Sequence, residues 1–239
     1  MLKATRVTKK FGELVAVNDL SFHVQDGQIY GIAGPNGAGK STVFNLITGN
    51  YGYEGKIEFG GKKITGLSPY RIAQEGIART FQIPQIFPSL TVKKSISVGS
   101  RFGARNGLDE DHVEKIIRFV ELEDERTQKT GRLNLLGKKK LMIGASLATK
   151  PKILMLDEPM AGSNATEIKE LMNLIRKINV ELGVTVIIIE HFMKVLTELT
   201  EKLLIIESGS MICCDAPEAV TKNPEVIESY LGKAYAERD

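Results

Sequence analysis

Eight consecutive residues in the first part of the chain match the spacing of a phosphate-binding loop, G-x-x-x-x-G-K-[ST]. They are Gly34, Pro35, Asn36, Gly37, Ala38, Gly39, Lys40 and Ser41, and Thr42 continues the segment. The glycines allow the backbone to curl, so that several N–H groups point at one anion. Lys40 adds a positive charge for the terminal phosphates, and Ser41 offers an oxygen to Mg²⁺. The sequence therefore predicts a site for a magnesium–triphosphate.

Two carboxylates follow an apolar run, Ile153–Leu156, later in the chain. A buried strand that ends in a carboxylate would bring Asp157 beside the phosphate loop, where it can hold Mg²⁺ through water. Glu158 is one residue further along, and it can orient or deprotonate an attacking water. Because an apolar run followed by Asp-Glu is common by itself, this prediction depends on the phosphate loop upstream.

A histidine and a glutamine are further candidates. His191 directly follows the predicted strand Val184–Glu190, and ligand chemistry in such sheets gathers at the carboxyl ends of strands. We expect His191 either to reach the γ-phosphate and the water or to be an ordinary surface histidine. Gln82 follows Ile77–Phe81 and could bridge Mg²⁺ and water from a mobile loop, although a plain loop glutamine fits the same local sequence.

The elements that must position these residues alternate between short apolar strands and amphipathic helices, which is typical of an α/β fold. We predict buried strands at Gln28–Ala33, Ile153–Leu156 and Val184–Ile189, and a helical segment over Lys40–Ile47. Between the last two strands, apolar residues recur at helical spacing up to Gly183, which stops the helix; they are Ile168, Leu171, Met172, Ile175, Ile178 and Leu182.

Other parts of the chain have different patterns. Leu2–Thr8, Val15–Val24 and Lys56–Phe59 indicate antiparallel strands, whereas Thr91–Leu147 is mostly helical and reads as an inserted lobe. Within the lobe, Phe102–Gly107 is loop-like, and the tail Met211–Asp239 predicts a strand and two short helices that begin near Pro217 and Pro224.

The amino-acid composition limits the classes of protein to which this chain can belong. The 239 residues are 42% apolar and 26% charged, which fits one large folded domain. The net charge of +3 is too weak to argue for nucleic-acid binding. The longest apolar runs are far shorter than a membrane-spanning helix, and the first residues lack the apolar core of an export signal, so we expect neither. Cys213 and Cys214 are adjacent and cannot frame a disulfide scaffold.

Taken in order, these residues resemble the ATP-binding subunit of an ABC transporter. The resemblance implies that 34–42 is the Walker A motif, that Asp157 belongs to Walker B, and that Glu158, Gln82 and His191 are catalytic. It implies that Ser41, Gln82 and Asp157 bind Mg²⁺ and that Phe11 stacks on adenine, although Phe11 alone could be a hairpin core residue. The implied fold is a P-loop NTPase core over 1–90 and 148–239, with an antiparallel β subdomain and a helical subdomain at 91–147.

Four stretches resemble the branched-chain amino-acid importer branch more closely. They are Asp157–Gly162, Ile189–His191, Asn223–Gly232, and Thr80–Gln82 followed by Ile86–Val92. The resemblance implies a peripheral ATPase at the cytoplasmic face of the membrane. Its partners would be permease subunits, a second ATPase subunit and, indirectly, an extracytoplasmic solute-binding protein. Urea- and lipopolysaccharide-related systems share some of these features, so the solute stays open.

The signature motif departs from the family pattern L-S-G-G-Q. Asn134 stands for the serine, Leu136 for the key glycine and Gly137 for the glutamine; the following helix has Ala145 in place of an arginine. In the family this segment contacts the γ-phosphate bound to the other subunit. The chain is therefore expected to complete its partner's site poorly. A dimerising or regulatory subunit with impaired hydrolysis is the alternative.

Three further expectations concern neighbouring segments. A solvated basic face is predicted at Lys138, Lys139 and Lys140, although these lysines could instead add positive charge next to the signature segment. The D-loop position, Ala161–Ala165, has Ser163 and Ala165 where this branch usually has Leu and Pro. Five apolar residues could form a groove for a permease helix or could instead pack the lobes together; they are Ile83, Ile86, Phe87, Leu90 and Val92.

Overall fold

The structure is a computed structural model that describes residues 1–103 and 107–231. Its strands are β1 (Leu2–Phe11), β2 (Leu14–Val24), β3 (Ile29–Ala33), β4 (Glu54–Phe59), β5 (Lys62–Lys63), β6 (Ile77–Arg79), β7 (Ile153–Asp157), β8 (Thr185–Ile189), β9 (Lys202–Glu207) and β10 (Ser210–Asp215). Its helices are α1 (Lys40–Ile47), α2 (Pro69–Glu75), α3 (Val92–Gly103), α4 (Glu110–Phe119), α5 (Leu135–Leu147), α6 (Ala165–Leu182), α7 (Met193–Leu199), α8 (Pro217–Val220) and α9 (Pro224–Leu231), with a 3₁₀ turn at Thr130–Arg132.

The chain divides into two compact units. The first comprises Met1–Pro69 and the described residues from Thr185 onward. It contains an antiparallel sheet in the order β2-β1-β4-β5 and a second set of strands in the order β10-β9-β3-β8. In that set β3 pairs in parallel with both β8 and β9, and β10 is antiparallel to β9. Every residue of β3 is buried, as expected of a central parallel strand.

The second unit, Tyr70–Val184, contains the parallel pair β6 and β7 together with α3 to α6. Here α3 and α5 pack so closely that a Cβ atom added at Gly99 would overlap the carbonyl oxygen of Ala145. The side chains of Ile96, Val113, Ile116, Ile117 and Leu141 are buried in this unit.

Most predicted elements are present with small changes at their ends. Helix α1 has the predicted bounds, and α6 ends where Gly183 adopts a φ of 64°, the left-handed cap expected there. The tail contains β10, α8 and α9. Residues 104–106 of the predicted loop and the end of the tail, 232–239, lie outside the described residues.

The two cysteines of β10 are unbonded thiols, and Cys214 Sγ lies 3.1 Å from the hydroxyl oxygen of the buried Tyr30. Across the described residues, no helix is both long enough and apolar enough to span a bilayer.

Candidate functional site

Two glycines of the phosphate loop sit where no side chain fits. Gly34 and Gly39 have φ values of 154° and 103°, in the left-handed region that favours glycine. An added Cβ would overlap the carbonyl oxygen of Ile206 in β9 at Gly34, and that of Ala16 in β2 at Gly39. Both glycines are thus required by the close passage of neighbouring backbone, as well as by the curl of the loop.

Lys40 lies inside that curl as the first residue of α1. It is only 5% exposed, and its ammonium donates hydrogen bonds to the carbonyl oxygens of Gly34 at 2.8 Å and Pro35 at 2.9 Å. Since the N–H groups at the start of a helix carry partial positive charge, the loop and α1 together form an anion site. Ser41, the next residue, is exposed at the start of the same helix.

The turn between β9 and β10 braces the loop. The amide of Gly209 donates to the Ala38 carbonyl at 2.9 Å, and the amide of Asn18 donates to the Gly209 carbonyl at 2.8 Å. These main-chain hydrogen bonds join the phosphate loop to β2. Because they involve no side chains, they could not be predicted from the sequence.

Phe11, at the end of β1, is 40% exposed, so it is not a core residue of the hairpin. Its ring meets Tyr51 edge-on with centroids 5.2 Å apart. The ammonium of Lys9 lies 4.8 Å from the Phe11 ring centroid and donates to the Gly52 carbonyl at 2.8 Å. These contacts fix an exposed aromatic face of the kind that stacks on a base. Tyr51 and Lys9 could not be predicted from the sequence, because no local motif marks them.

His191 lies two residues beyond β8 and is exposed. Its main-chain amide donates to the carboxylate of Glu190 at 3.2 Å, and Glu190 itself is buried. The first unit thus carries the phosphate loop, Phe11 and His191.

Asp157 ends β7 in the second unit, as its apolar run predicts. One carboxylate oxygen, Oδ2, forms an ion pair with Arg79 at 2.7 Å, and both side chains are less than a tenth exposed. The other oxygen, Oδ1, is buried and accepts no hydrogen bond from the described residues. Such an oxygen is costly to bury unless a ligand uses it, so the residue fits a role as an oxygen ligand for Mg²⁺.

Within 1–103 and 107–231, no three His, Cys, Asp or Glu side chains form a cluster suited to a metal. Mg²⁺ is commonly bound by one or two carboxylates together with substrate phosphates and water.

Glu158 follows with a φ of 48°, a left-handed conformation that costs a non-glycine residue about 1–3 kcal/mol. Its side chain is buried, and its Oε2 accepts a 2.6 Å hydrogen bond from the amide nitrogen of Gln82. The structure therefore brings Gln82 and Glu158 together. Strained backbone at a buried carboxylate is typical of catalytic positions.

The residues at which the sequence departs from the expected signature lie at the start of α5. Asn134 is the N-cap residue, and its side-chain oxygen accepts a 2.7 Å hydrogen bond from the amide of Gly137. Leu136 is the second helical residue and is half-buried. One of the first free amides of the helix is thus used internally, and Leu136 places a branched side chain in the same turn.

The expected solvated basic face at Lys138–Lys140 is wrong for two of its three lysines. Lys139 and Lys140 are buried, at 2% and 7% exposure. The ammonium of Lys139 donates to the Ala161 carbonyl at 2.6 Å and to Ser163 Oγ at 2.7 Å, which joins α5 to the D-loop segment. Lys140 pairs with Glu121 and Glu170, and its hydrogen bond lowers the pKa of Glu121. Nearby acceptors explain why these charges are tolerated inside.

The five apolar residues that could form a groove differ in their exposure. Val92 is fully buried in the second unit, so its place in an exposed groove is wrong. Ile83 and Phe87 are 72% and 55% exposed. A cavity of about 750 Å³ opens alongside α3; its lining includes Leu90, Lys94, Val98, Arg101, Phe102 and Leu108.

Comparison with known proteins assigns the family. The ABC transporter family model matches residues 17–161, and a model for branched-chain amino acid ATP-binding cassette transporters matches residues 210–236. The high-affinity branched-chain amino acid transport ATP-binding protein BraF of Pseudomonas aeruginosa is 34% identical over 98% of both chains. Its counterpart LivG of Escherichia coli K12 is 32% identical over 98% of both chains.

Solved structures agree. A nucleotide-free ATP-binding cassette from an ABC transporter matches 98% of this chain and 99% of its own at a TM-score of 0.88 and 31% identity. A cassette in its ADP conformation matches with the same coverage and TM-score at 30% identity. The predicted P-loop NTPase fold is therefore confirmed, and the chain belongs to the ABC transporter family.

Proposed function

We propose that this chain is the ATP-binding subunit of an importer and hydrolyses ATP to drive uptake of branched-chain or related hydrophobic amino acids. The observation that carries the proposal is the phosphate loop, whose buried Lys40 ammonium is held by the loop's own carbonyls. The names of its relatives favour a branched-chain amino acid over urea or a lipopolysaccharide as solute.

Each site residue has a role in this proposal. Residues 34–42 and Lys40 bind the phosphates, and the exposed face of Phe11 stacks on adenine. Glu158 accepts the proton of the attacking water, Gln82 holds that carboxylate in place, and His191 contacts the γ-phosphate.

The residues that would hold Mg²⁺ are Asp157 through Oδ1, Ser41 through its hydroxyl, and Gln82 through its amide oxygen. The ion, when bound, neutralises phosphate charge and polarises the transferred group. Asp157 keeps one oxygen available for it because Arg79 occupies the other.

The partners follow from the family. The chain would lie peripherally at the cytoplasmic face, pair with a second ATPase subunit that is either a copy or a paralogue, and contact permease subunits. An extracytoplasmic solute-binding protein would act on the same transporter indirectly. We assign residues 91–147 as the helical subdomain and the remainder as the core.

We expect the permease to contact the exposed Ile83 and Phe87 and the cavity beside α3, whose lining includes the cationic Lys94 and Arg101. Phe87→Glu should abolish transport in the assembled importer while the isolated subunit keeps its nucleotide affinity, because only the apolar contact is lost. Transport of radiolabelled leucine and calorimetry on the isolated subunit measure the two quantities.

Val180→Glu in α6 is the control, since Val180 is also an exposed apolar residue. Full transport by the Phe87 variant, or equal loss in both variants, would place the permease contact elsewhere.

Restoring the signature should raise turnover. In the double variant Asn134→Ser, Leu136→Gly, the backbone at the start of α5 can approach an anion, and a single donor aimed at developing charge contributes about 10²–10³ in rate. We therefore expect the ATPase rate of the chain, alone and with its paralogue, to rise at least about tenfold.

Lys138→Gly loosens the first turn of the same helix outside the signature positions 133–137 and serves as control. Rapid ATP turnover by the unaltered chain on its own would contradict the idea that its signature is impaired. So would a restored variant that gains nothing.

A regulatory subunit that binds ATP without useful turnover is the second candidate. Leu136 favours it, since a branched side chain at the second position of α5 hinders approach of a partner's phosphate. Glu158 and its contact with Gln82 oppose it. Steady-state ATPase measurements on the complex with its paralogue decide between the two.

A further inference from the structure

Arg79 is the last residue of β6, and it lies opposite Met155 in the parallel pairing with β7. That register brings its side chain to the end of β7, where Asp157 lies. The guanidinium Nη2 is 2.7 Å from Asp157 Oδ2, and the two side chains are 8% and 7% exposed. An arginine is always charged in proteins, so this is a buried ion pair.

The two carboxylate oxygens of Asp157 differ in their hydrogen bonding. Oδ2 is taken by Arg79, while the buried Oδ1 has no hydrogen-bond donor among the described residues. A carboxylate fixed through one oxygen cannot rotate without breaking a charge-assisted hydrogen bond, so the direction of the other oxygen is set.

Arg79 also contacts a neighbouring aromatic ring. Its guanidinium carbon lies 5.1 Å from the centroid of the Phe81 ring, within the range of a cation–π contact. Phe81 directly precedes Gln82, whose amide nitrogen donates to Glu158. The short segment 79–82 therefore contacts both members of the Asp157-Glu158 pair.

We propose that Arg79 is a positioning residue that orients Asp157 so that Oδ1 faces the metal ion of the nucleotide complex. This inference rests on the proposed function, because it assumes that Asp157 binds the Mg²⁺ of MgATP. Arg79 makes no contact with the metal; it acts through the carboxylate, as the hydrogen-bonding partners of metal ligands commonly do.

The test measures Mn²⁺ binding by electron paramagnetic resonance on the full chain with a non-hydrolysable ATP analogue. Nucleotide affinity in EDTA is measured separately. Arg79→Lys keeps the charge and loses the planar fork, whereas Arg79→Met loses both. We expect both variants to raise the Mn²⁺ concentration at half-saturation about 10- to 100-fold, with nucleotide affinity in EDTA unchanged.

Two further variants sharpen the test. Arg118→Lys on the exposed face of α4 is the surface control and should match the unaltered chain. Arg79→Lys added to Asp157→Asn should change Mn²⁺ binding no further, because the oriented carboxylate is already gone. The Lys variant also covers the case in which Arg79→Met fails to fold with an unpaired buried carboxylate.

Three outcomes would overturn the proposal. Tighter Mn²⁺ binding in Arg79→Met with normal binding in Arg79→Lys would make Arg79 a charge neutraliser. Unchanged Mn²⁺ binding in both variants, with only a lower unfolding temperature, would make the ion pair purely structural. An additive effect on the Asp157→Asn background would exclude action through that carboxylate. Failure of the proposed function is distinct, because the unaltered chain itself would then bind neither nucleotide nor Mn²⁺.

Discussion

Glu158→Gln is expected to bind ATP with unaltered affinity and to lose hydrolysis. A positioned general base contributes about 10²–10⁴ in rate, and glutamine cannot accept the water's proton. The glutamine carbonyl can still accept the hydrogen bond from Gln82, so the local fold should survive. ATP should then trap the closed dimer, which size-exclusion chromatography with ATP and a phosphate-release assay detect.

Glu167→Gln makes the same chemical change nine positions further along the chain and is the matched control. Glu167 forms the capping box of α6 with Asn164, and glutamine serves equally well at that position. This variant should hydrolyse ATP normally. Hydrolysis by Glu158→Gln at the rate of the unaltered chain would mean that another group is the base.

Lys40→Ala should fail one step earlier, at nucleotide binding. Truncating a buried, hydrogen-bonded charge at a binding interface costs about 2–5 kcal/mol. With about 1.4 kcal/mol for each factor of ten, ATP affinity should fall roughly 30-fold or more. The loop also loses the ammonium that joins the Gly34 and Pro35 carbonyls. Isothermal calorimetry with MgATP measures the loss.

Lys3→Ala, at an exposed position of β1, controls for the loss of one positive charge. Near-normal affinity in Lys40→Ala would remove Lys40 from the phosphate site. Together, the Lys40 and Glu158 variants separate binding from chemistry, because the first blocks both and the second blocks hydrolysis alone.

The parts of the fold that depend on local sequence could be predicted. The phosphate loop, α1 and the end of α6 at Gly183 follow from glycine conformation and apolar spacing over short windows. The buried runs before Asp157 and His191 likewise identify their strands. In each case the determining residues lie within a few positions of one another.

Features that depend on distant partners could not be predicted. Arg79 and Asp157 are 78 positions apart in the sequence, and no local pattern near either residue predicts the ion pair. Three consecutive lysines resemble a solvated face until Glu121, Glu170, Ala161 and Ser163 supply acceptors from other elements. Val92 is apolar like its exposed neighbour Phe87, and only the packing of the helical segments distinguishes them.

The left-handed backbone at Glu158 has a consequence for anyone who engineers this protein for heat tolerance. Glycine would relieve the torsional cost at that position, and libraries screened only for thermal survival should accordingly enrich it. The same exchange deletes the carboxylate assigned to water activation. Thermal stability and ATP turnover therefore favour different residues at position 158. Any such screen needs an ATPase assay in addition to the melting curve.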